Sequence, residues 1–162
     1  MNFEDIKQGL FCQLSEKNIK LAAAESCTGG LVSAYICDIP GISAYFEEGY
    51  ITYSVDAKVK NLGIDRDLIE KYGVVSVQTA EAMAIGAAKA AGAYCGVATT
   101  GVAGPTGGTA LTPVGCVCFG CVVGDKVYSK QHIFEGDRPQ IRQQAAQYAL
   151  EFLYRKLKEN EI

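Results

Sequence analysis

The chain has 162 residues, of which 49% are hydrophobic and 20% charged, so it can bury a sizeable core and is not expected to be disordered. Its net charge of −3 provides no basic field for nucleic acid, and no apolar run approaches the roughly 20 residues that a membrane helix needs. The acidic start of the chain lacks the layout of a signal peptide, so we expect a cytoplasmic protein with one domain over residues 1–162.

The first part of the chain alternates helix-like and strand-like segments. Apolar residues at helical spacing predict an amphipathic helix over Phe3–Lys17. The apolar run 19–24 predicts a short buried strand, and a helix is expected from Gly29 to about Cys37. Aromatic and β-branched residues over 44–53 then predict a long or kinked strand.

Polar residues mark the starts of the helices that follow. Ser54, Asp65 and Ser76 are each expected to cap a helix, the last of them over the alanine-rich segment 77–91. Small residues over 94–100 predict a central strand, which leads into a glycine-rich loop.

The remainder of the chain predicts a hairpin and one long helix. Segments 113–123 and 126–134 pair across Gly124-Asp125, and Asp137 starts a helix over 138–158. Helices alternate with strands and the hairpin follows, so the sequence predicts an α/β protein: a three-layer α/β/α sandwich with a mixed sheet in a single domain.

The turn after the first strand places small polar side chains at the start of a helix. Ser26, Cys27 and Thr28 precede two glycines, where the unpaired N–H groups of a helix start favour an anion or an oxyanion. An ordinary helix cap made by Ser26 or Thr28 is the alternative interpretation of the same residues.

The loop 101–109 follows another strand and contains four glycines within residues 101–108. In an α/β sheet, loops at the carboxyl ends of parallel strands share one crevice, so this loop and the Ser26 turn are expected to meet. The loop favours a phosphate cradle, although it matches neither a Walker A nor a Rossmann motif, and a packing turn is equally compatible with it.

A nucleophilic Ser26 needs a base, and the single histidine, His132, lies in the hairpin far along the chain. Lys58 becomes a candidate base if burial lowers its pKa; a solvated helix residue is the alternative. Cys27 is a rival nucleophile, and two arginines in the first turns of the last helix, Arg138 and Arg142, are candidates for reaching an anion.

The seven cysteines favour buried reduced thiols over disulfides. Cys118 and Cys121 have C-x-x-C spacing, but they lie within a strand-like run and no second pair accompanies them. Packing is therefore the preferred interpretation, and no metal site is predicted.

Four ordered motifs together resemble the CinA C-terminal domain family, and the resemblance spans nearly the whole chain. They are Ala24-Glu25-Ser26-Cys27-Thr28-Gly29-Gly30; Tyr53-Ser54-x-x-Ala57-Lys58; Gly101-x-Ala103-Gly104-Pro105-x-Gly107-Gly108 with Pro113-Val114-Gly115; and Gly136-Asp137-Arg138-x-x-Ile141-Arg142.

The resemblance implies a hydrolase of pyridine nucleotide salvage and NAD metabolism. Characterised members are nicotinamide-nucleotide amidohydrolases, which convert nicotinamide mononucleotide to nicotinic acid mononucleotide and ammonia. It implies that Ser26 attacks the amide carbon and that Lys58 is the base, with help from Tyr53. The residues it implies for the oxyanion and the substrate are Glu25, Cys27, Thr28, Gly29, Gly30, Gly101, Ala103, Gly104, Gly107, Gly108 and Arg142.

The resemblance also implies a homodimer that binds a small nucleotide and uses no cofactor, and the chain length suggests the stand-alone form of the family. One departure concerns the loop: family members often have a lysine before Pro-Val-Gly and a threonine after it, where this chain has Thr112 and Cys116. Two other functions remain open, a non-catalytic module that binds a nucleotide or phosphate, and an interaction protein connected with competence or DNA damage.

Overall fold

The computed structural model of the protein describes residues 1–161, which form six α-helices, one short 3₁₀ helix and one five-stranded sheet. The helices are α1 Phe3–Lys17, α2 Leu31–Cys37, α3 Val55–Leu62, α4 Arg66–Tyr72, α5 Val77–Ala91 and α6 Arg138–Glu159, and the 3₁₀ helix is Ile42–Ala44. The strands are β1 Leu21–Glu25, β2 Phe46–Ile51, β3 Cys95–Gly101, β4 Cys116–Val123 and β5 Lys126–Ile133.

The sheet is mixed, as the sequence predicts. Its strand order is β2-β1-β3-β4-β5, with β1 parallel to both β2 and β3. The hairpin β4–β5 continues the sheet with antiparallel pairing, first against β3 and then within itself. Because β1, β2 and β3 run in the same direction, their carboxyl ends lie at one edge of the sheet.

Helices cover both faces of the sheet, which confirms the three-layer sandwich. Successive side chains of β1 point to opposite faces, so Leu21 and Ala23 enter one core while Ala22 and Ala24 enter the other. The first core also contains the apolar faces of α1, α2 and α6, and the second contains those of α3, α4 and α5. A strand buried on both faces favours a continuous apolar sequence, which β1 has from Leu21 to Ala24, before the buried Glu25.

Local signals for helix starts are confirmed where a polar side chain precedes an apolar stripe. The side chains of Ser54, Asp65, Ser76 and Asp137 each accept a hydrogen bond from a backbone N–H in the first turn of the next helix.

Several predicted boundaries differ from the structure, among them the start of the strand predicted over 113–123, which is Cys116, and two predicted segments near the ends of β1 and β2 need correction. The strand predicted over 44–53 is limited to Phe46–Ile51, because 42–44 form the 3₁₀ helix and the chain leaves the sheet after Ile51. Helix α2 begins at Leu31 and not at Gly29, because Gly29 and Gly30 have φ values of 56° and 107°, outside the helical region. Its N-cap residue is Gly30, so neither Ser26 nor Thr28 occupies that position.

All seven cysteines are free thiols, and five of them are buried. The expectation of burial is wrong for Cys37, which is exposed at the end of α2, while Cys12 is half-buried. Within residues 1–161, the side chains of His, Cys, Asp and Glu do not form a group of three or more placed to hold a metal ion. None of the helices in that range is long and apolar enough to cross a membrane.

Candidate active site

The candidate site lies where the three parallel strands end. Glu25, the last residue of β1, pairs with Ile51 on one side and with Thr99 on the other. The chain therefore leaves β1 and β2 at the same level of the sheet, and the next residues, Ser26 and Thr52, come out on one edge. The Thr52 N–H donates to the Glu25 carbonyl over 2.9 Å, which holds these two segments together.

Lys58 reaches this edge from the second turn of α3. The buried residues of α3 are Lys58 and Leu62, four positions apart, so both lie on the helix face that packs against the sheet. Lys58 Nζ lies 3.0 Å from Ser26 Oγ and donates to the Thr52 carbonyl over 2.5 Å. The Lys58 side chain is 0% exposed and Ser26 is 8% exposed, so a hydroxyl and an amine meet almost out of water.

Burial changes the protonation of the ionisable groups at this edge. Removal from water disfavours the ammonium and lowers the pKa of Lys58 to about 8, although the neighbouring Cys27 raises it slightly. Burial also raises the pKa of the Cys27 thiol to about 12, so this thiol stays protonated at neutral pH. A protonated thiol is a poor nucleophile, which favours Ser26 over Cys27.

The Glu25 carboxylate is fully buried and caps α2 from inside the protein. It accepts five hydrogen bonds, which come from the hydroxyls of Thr28 and Ser33 and from the backbone N–H groups of Gly30, Val32 and Ser33. Negative charge at a helix start is favourable because the unpaired N–H groups and the helix dipole are positive there. The structure thus places Glu25 beneath the turn and away from the pocket where a ligand would bind.

The same network decides which amides of the turn can meet an oxyanion. The Gly30 N–H donates to Glu25, and the Gly29 N–H donates to the Ser26 carbonyl over 3.0 Å. Within residues 1–161, the N–H groups of Cys27 and Thr28 donate to no other residue. Of the four amides expected to hold an oxyanion, those of Gly29 and Gly30 are already used, so the amides of Cys27 and Thr28 remain as candidates.

Arg142 of α6 holds the turn from the opposite side. Its Nε donates to the Cys27 carbonyl and its Nη2 to the Thr28 carbonyl, each over 3.0 Å. In a trans peptide the C=O and the next N–H point in opposite directions, so the bond to the Cys27 carbonyl turns the Thr28 N–H away from Arg142. This differs from the expected contact with a nucleotide phosphate, because Arg142 does not line the pocket.

A pocket of about 290 Å³ opens over Ser26 and Cys27. Its walls include Tyr53, Val74 and Arg138, together with loop residues 101–104, 106 and 107. The loop and the Ser26 turn therefore share one crevice. Gly108 is outside the lining, and a Cβ there would lie 2.8 Å from the Val114 backbone nitrogen, so its role is packing.

The glycines that line the pocket are also required by packing. A Cβ on Gly101 would lie 2.7 Å from the Cys116 carbonyl oxygen, and one on Gly104, whose φ is 78°, would collide with the Val114 side chain. Ala103 is buried between them. Both interpretations of this loop, ligand cradle and packing turn, are therefore compatible with the structure.

The guanidinium that lines the pocket belongs to Arg138, whereas the sequence offers Arg138 and Arg142 as equal candidates. Arg138 donates from Nη1 to the Gly104 carbonyl over 2.7 Å and from Nη2 to the Tyr53 hydroxyl over 3.0 Å. Tyr53 is 61% exposed, and its hydroxyl contacts Arg138, with no hydrogen bond to Lys58. The place of Arg138 at the first position of α6, where a cation opposes the helix dipole, is the signal by which the sequence offers it as a candidate for reaching an anion.

Two other polar side chains lie outside the pocket. The Thr28 hydroxyl is buried, donating to Glu25 over 2.6 Å and meeting the Thr99 hydroxyl at 2.7 Å, so it braces the turn. His132 is on β5, with its ring stacked on Tyr148 at 5.3 Å between centroids. His132 is far from Ser26 in the sequence, and it is not among the residues that line the pocket over Ser26.

Residues 3–157 match the family described as the CinA C-terminal domain. A CinA-like protein of Kosmotoga olearia is 45% identical over 95% of this chain and 37% of its own length. A Clostridioides difficile protein, named as competence-damage inducible, is 52% identical over 82% of this chain and 32% of its own. The chain thus spans about a third of the length of the curated relatives it matches.

Solved structures agree over almost the whole chain. A competence damage-inducible protein from Klebsiella pneumoniae superposes with a TM-score of 0.94 at 30% identity, covering 99% of this chain and 100% of that one. A competence/damage inducible protein from Agrobacterium tumefaciens gives a TM-score of 0.90 at 34% identity, covering 96% and 95%.

Proposed function

The chain belongs to the CinA C-terminal domain family, and we propose that it hydrolyses the carboxamide of nicotinamide mononucleotide, giving nicotinic acid mononucleotide and ammonia. The observation that carries this proposal is the 3.0 Å approach of Lys58 Nζ to Ser26 Oγ inside a buried edge of the sheet. A serine becomes a nucleophile when a neighbouring base removes its proton, and a lysine acts as that base when burial keeps part of it neutral.

In the first step, Ser26 Oγ attacks the carbonyl carbon of the carboxamide while its proton passes to the lone pair of Lys58 Nζ. The Thr52 carbonyl accepts one N–H of the amine, which holds Nζ beside Ser26 and leaves the lone pair of neutral Lys58 free to turn toward the serine hydroxyl. The oxygen of the tetrahedral intermediate takes on negative charge, and the N–H groups of Cys27 and Thr28 are the donors available for it.

In the second step, the Lys58 ammonium returns its proton to the leaving nitrogen, the C–N bond breaks and ammonia departs. The acyl group then remains on Ser26 Oγ as an ester. Lys58 is neutral again and can take a proton from water as the water attacks this ester. The Lys58 ammonium then gives that proton to Ser26 Oγ as the ester C–O bond breaks, which restores the serine hydroxyl and releases the acid product, which ionises to the carboxylate in water.

Arg138 gives this pocket its preference for an anionic ligand. Its guanidinium lies on the pocket wall, and Lys58, the other cation nearby, is covered by the Ser26 turn. Guanidinium groups bind phosphate through paired N–H donors, so we assign the phosphate of the substrate to Arg138 and the neighbouring loop amides. This replaces the assignment of that role to Arg142, whose guanidinium is used by the turn.

The test is ammonia release from nicotinamide mononucleotide by the purified chain. Turnover should be lost in Ser26→Ala and retained in Ser43→Ala, which changes an exposed serine away from the pocket. Free nicotinamide and nicotinamide riboside, which lack the phosphate, should be poor substrates. Tight binding of the mononucleotide without ammonia release would instead identify a non-catalytic binding module.

A further inference from the structure

The Thr52 hydroxyl is anomalous. It is the only buried side-chain nitrogen or oxygen among residues 1–161 that makes no hydrogen bond, and Thr52 is 1% exposed. An unpaired buried hydroxyl destabilises the folded state because it has lost its water and gained nothing in return. A valine has the same shape without this cost, so the presence of threonine calls for another explanation.

Thr52 lies at the centre of the proposed chemistry. Its N–H donates to the carbonyl of Glu25, the residue before Ser26, and its own carbonyl accepts from Lys58 Nζ. The hydroxyl without a partner therefore belongs to the residue that already holds the amine. Thr52 directly follows the last residue of β2, and these two hydrogen bonds hold its backbone in place.

Lys58 has a matching surplus of donors. An ammonium carries three N–H groups, and the structure provides two acceptors, Ser26 Oγ and the Thr52 carbonyl. We propose that the Thr52 hydroxyl accepts the third N–H of Lys58 when Ser26 transfers its proton, which makes Thr52 a positioning residue for the charged state of the base. This inference rests on the proposed serine–lysine function and adds a residue to it.

Thr52 neither gains nor loses a proton in this scheme. The proton leaves Ser26 Oγ and joins Lys58 Nζ, and Thr52 keeps its own hydroxyl proton throughout because it acts only as an acceptor. When Lys58 passes a proton to the leaving nitrogen, the amine becomes neutral and the Thr52 contact loses its charge-assisted strength. The hydroxyl is thus needed most while Lys58 is charged and least while Lys58 is neutral.

The charged surroundings of Lys58 do not supply an alternative partner. The ionisable group that acts on it is the Cys27 thiol, which stays protonated because burial raises its pKa to about 12. The Glu25 carboxylate is already saturated by donors from the turn and α2. The Thr52 hydroxyl, on the residue whose carbonyl already accepts from Nζ, is therefore the unused acceptor that we assign to the ammonium.

The direct test measures the titration of Lys58 by NMR of ¹³Cε-labelled lysine, with Lys58→Met to assign the signal. In Thr52→Val the midpoint should fall by roughly one pH unit, because the ammonium loses a charge-assisted hydrogen bond. Thr52→Ser keeps the hydroxyl and should titrate like the wild type. An unchanged midpoint in Thr52→Val would overturn the proposal, and this readout needs no catalytic activity.

Kinetics with nicotinamide mononucleotide separate this role from substrate binding. Thr52→Val should lower kcat about tenfold with KM unchanged, since the hydroxyl acts on the intermediate state. The acid limb of its pH profile should move to lower pH together with the Lys58 midpoint. A change confined to KM would overturn the proposal in favour of a substrate contact. If the wild type releases no ammonia, the proposed function fails while the titration still decides the Thr52 contact.

Stability provides an independent readout. At a pH above the Lys58 pKa of about 8, where the amine is neutral, Thr52→Val removes an unpaired hydroxyl and should raise the melting temperature by roughly 2–4 °C. The matched control is Thr79→Val: Thr79 is equally buried, but its hydroxyl donates to the Gly73 carbonyl over 2.7 Å and contacts Ser76 Oγ at 3.0 Å. This control should lower the melting temperature and leave the Lys58 midpoint unchanged. A lower melting temperature in Thr52→Val would show that the hydroxyl has a resting partner, which contradicts the proposal.

Discussion

Lys58 Nζ lies 3.0 Å from Ser26 Oγ although 32 residues separate them in the chain. The contact follows from the topology: β1 and β2 are parallel neighbours, Ser26 follows β1, and α3 returns from the end of β2 onto the same edge. Ser54 starts α3 at a fixed point, which places Lys58 one turn later on the inward face.

Replacing the base should remove activity without unfolding the protein. Lys58→Met keeps the length of the side chain and deletes the amine, so we expect ammonia release to fall by about 10³-fold or more. Lys60→Met, on the exposed face of the same helix, is the matched control and should keep wild-type activity. A Lys58→Met protein with normal kcat and a higher KM would show that Lys58 binds the substrate and is not the base.

The pH dependence of the reaction should follow the neutral fraction of Lys58. Burial lowers its pKa to about 8, so the active form increases as pH rises through 8, and about a tenth is active at pH 7. We expect kcat/KM to rise roughly tenfold for each pH unit below 8 and to level off above it. Measured profiles that fall with pH in this range would contradict a neutral lysine base.

Protein stability should depend on pH through the same group. The pKa of Lys58 is lower in the folded protein than in the unfolded chain, so the unfolded chain binds more protons between pH 8 and 10.5. The free energy of unfolding therefore gains a favourable contribution from Lys58 as pH rises through this range, while below pH 8 its burial costs a few kcal/mol. Urea unfolding should show this rise in the wild type and a smaller one in Lys58→Met.

Glu25 should be essential to the geometry of the nucleophile turn. Glu25→Gln replaces one acceptor oxygen by an NH₂ group that faces backbone donors of α2, so we expect a loss of about 1–3 kcal/mol in unfolding free energy and a lower kcat. Glu16→Gln on the exposed face of α1 is the control and should change neither quantity. Wild-type stability in Glu25→Gln would mean that the buried network tolerates an amide.

The two arginines should differ in the kinetic parameter that they affect. Arg138→Met should raise KM for nicotinamide mononucleotide by about tenfold to a hundredfold, because the substrate phosphate loses one charge-assisted hydrogen bond. Activity on nicotinamide riboside should change little, because it has no phosphate. Arg142→Met should instead lower kcat on both, because the carbonyls of Cys27 and Thr28 lose their donors. Equal effects of both variants on KM would contradict this division.

Much of the fold follows from local sequence signals. Periodicity predicts α1, α5 and α6 with nearly correct ends, and the polar residues Ser54 and Asp137 cap helices as expected. These signals succeed because a cap is satisfied by N–H groups two or three residues away. The two-residue turn at Gly124-Asp125 succeeds for the same reason, since it fixes the β4–β5 register locally.

The turn 25–30 shows where local signals fail. Its glycines and hydroxyls leave ligand binding and helix capping both open, and the structure shows that Glu25, the first residue of the turn, points inward and caps α2. Arg142 and Arg138 both lie at the start of α6, yet one holds the turn and the other lines the pocket. Helical periodicity cannot make this division, because Arg138 and Arg142 lie one turn apart on the same face of α6, and their partners depend on which segments pack against each turn.

By itself, the sequence determined the layer architecture, the family resemblance and the identity of the candidate pair, Ser26 and Lys58, because these depend on periodicity and on motifs read within short segments. The tertiary structure alone decided the distance between their side chains, the burial that lowers the pKa of Lys58, and the inward use of Glu25 and Arg142. It also revealed the unpaired hydroxyl of Thr52. Distances and desolvation arise only when distant segments pack, which is why only the structure shows that Gly30 is the N-cap residue of α2 and that a buried carboxylate holds the turn after β1 from below.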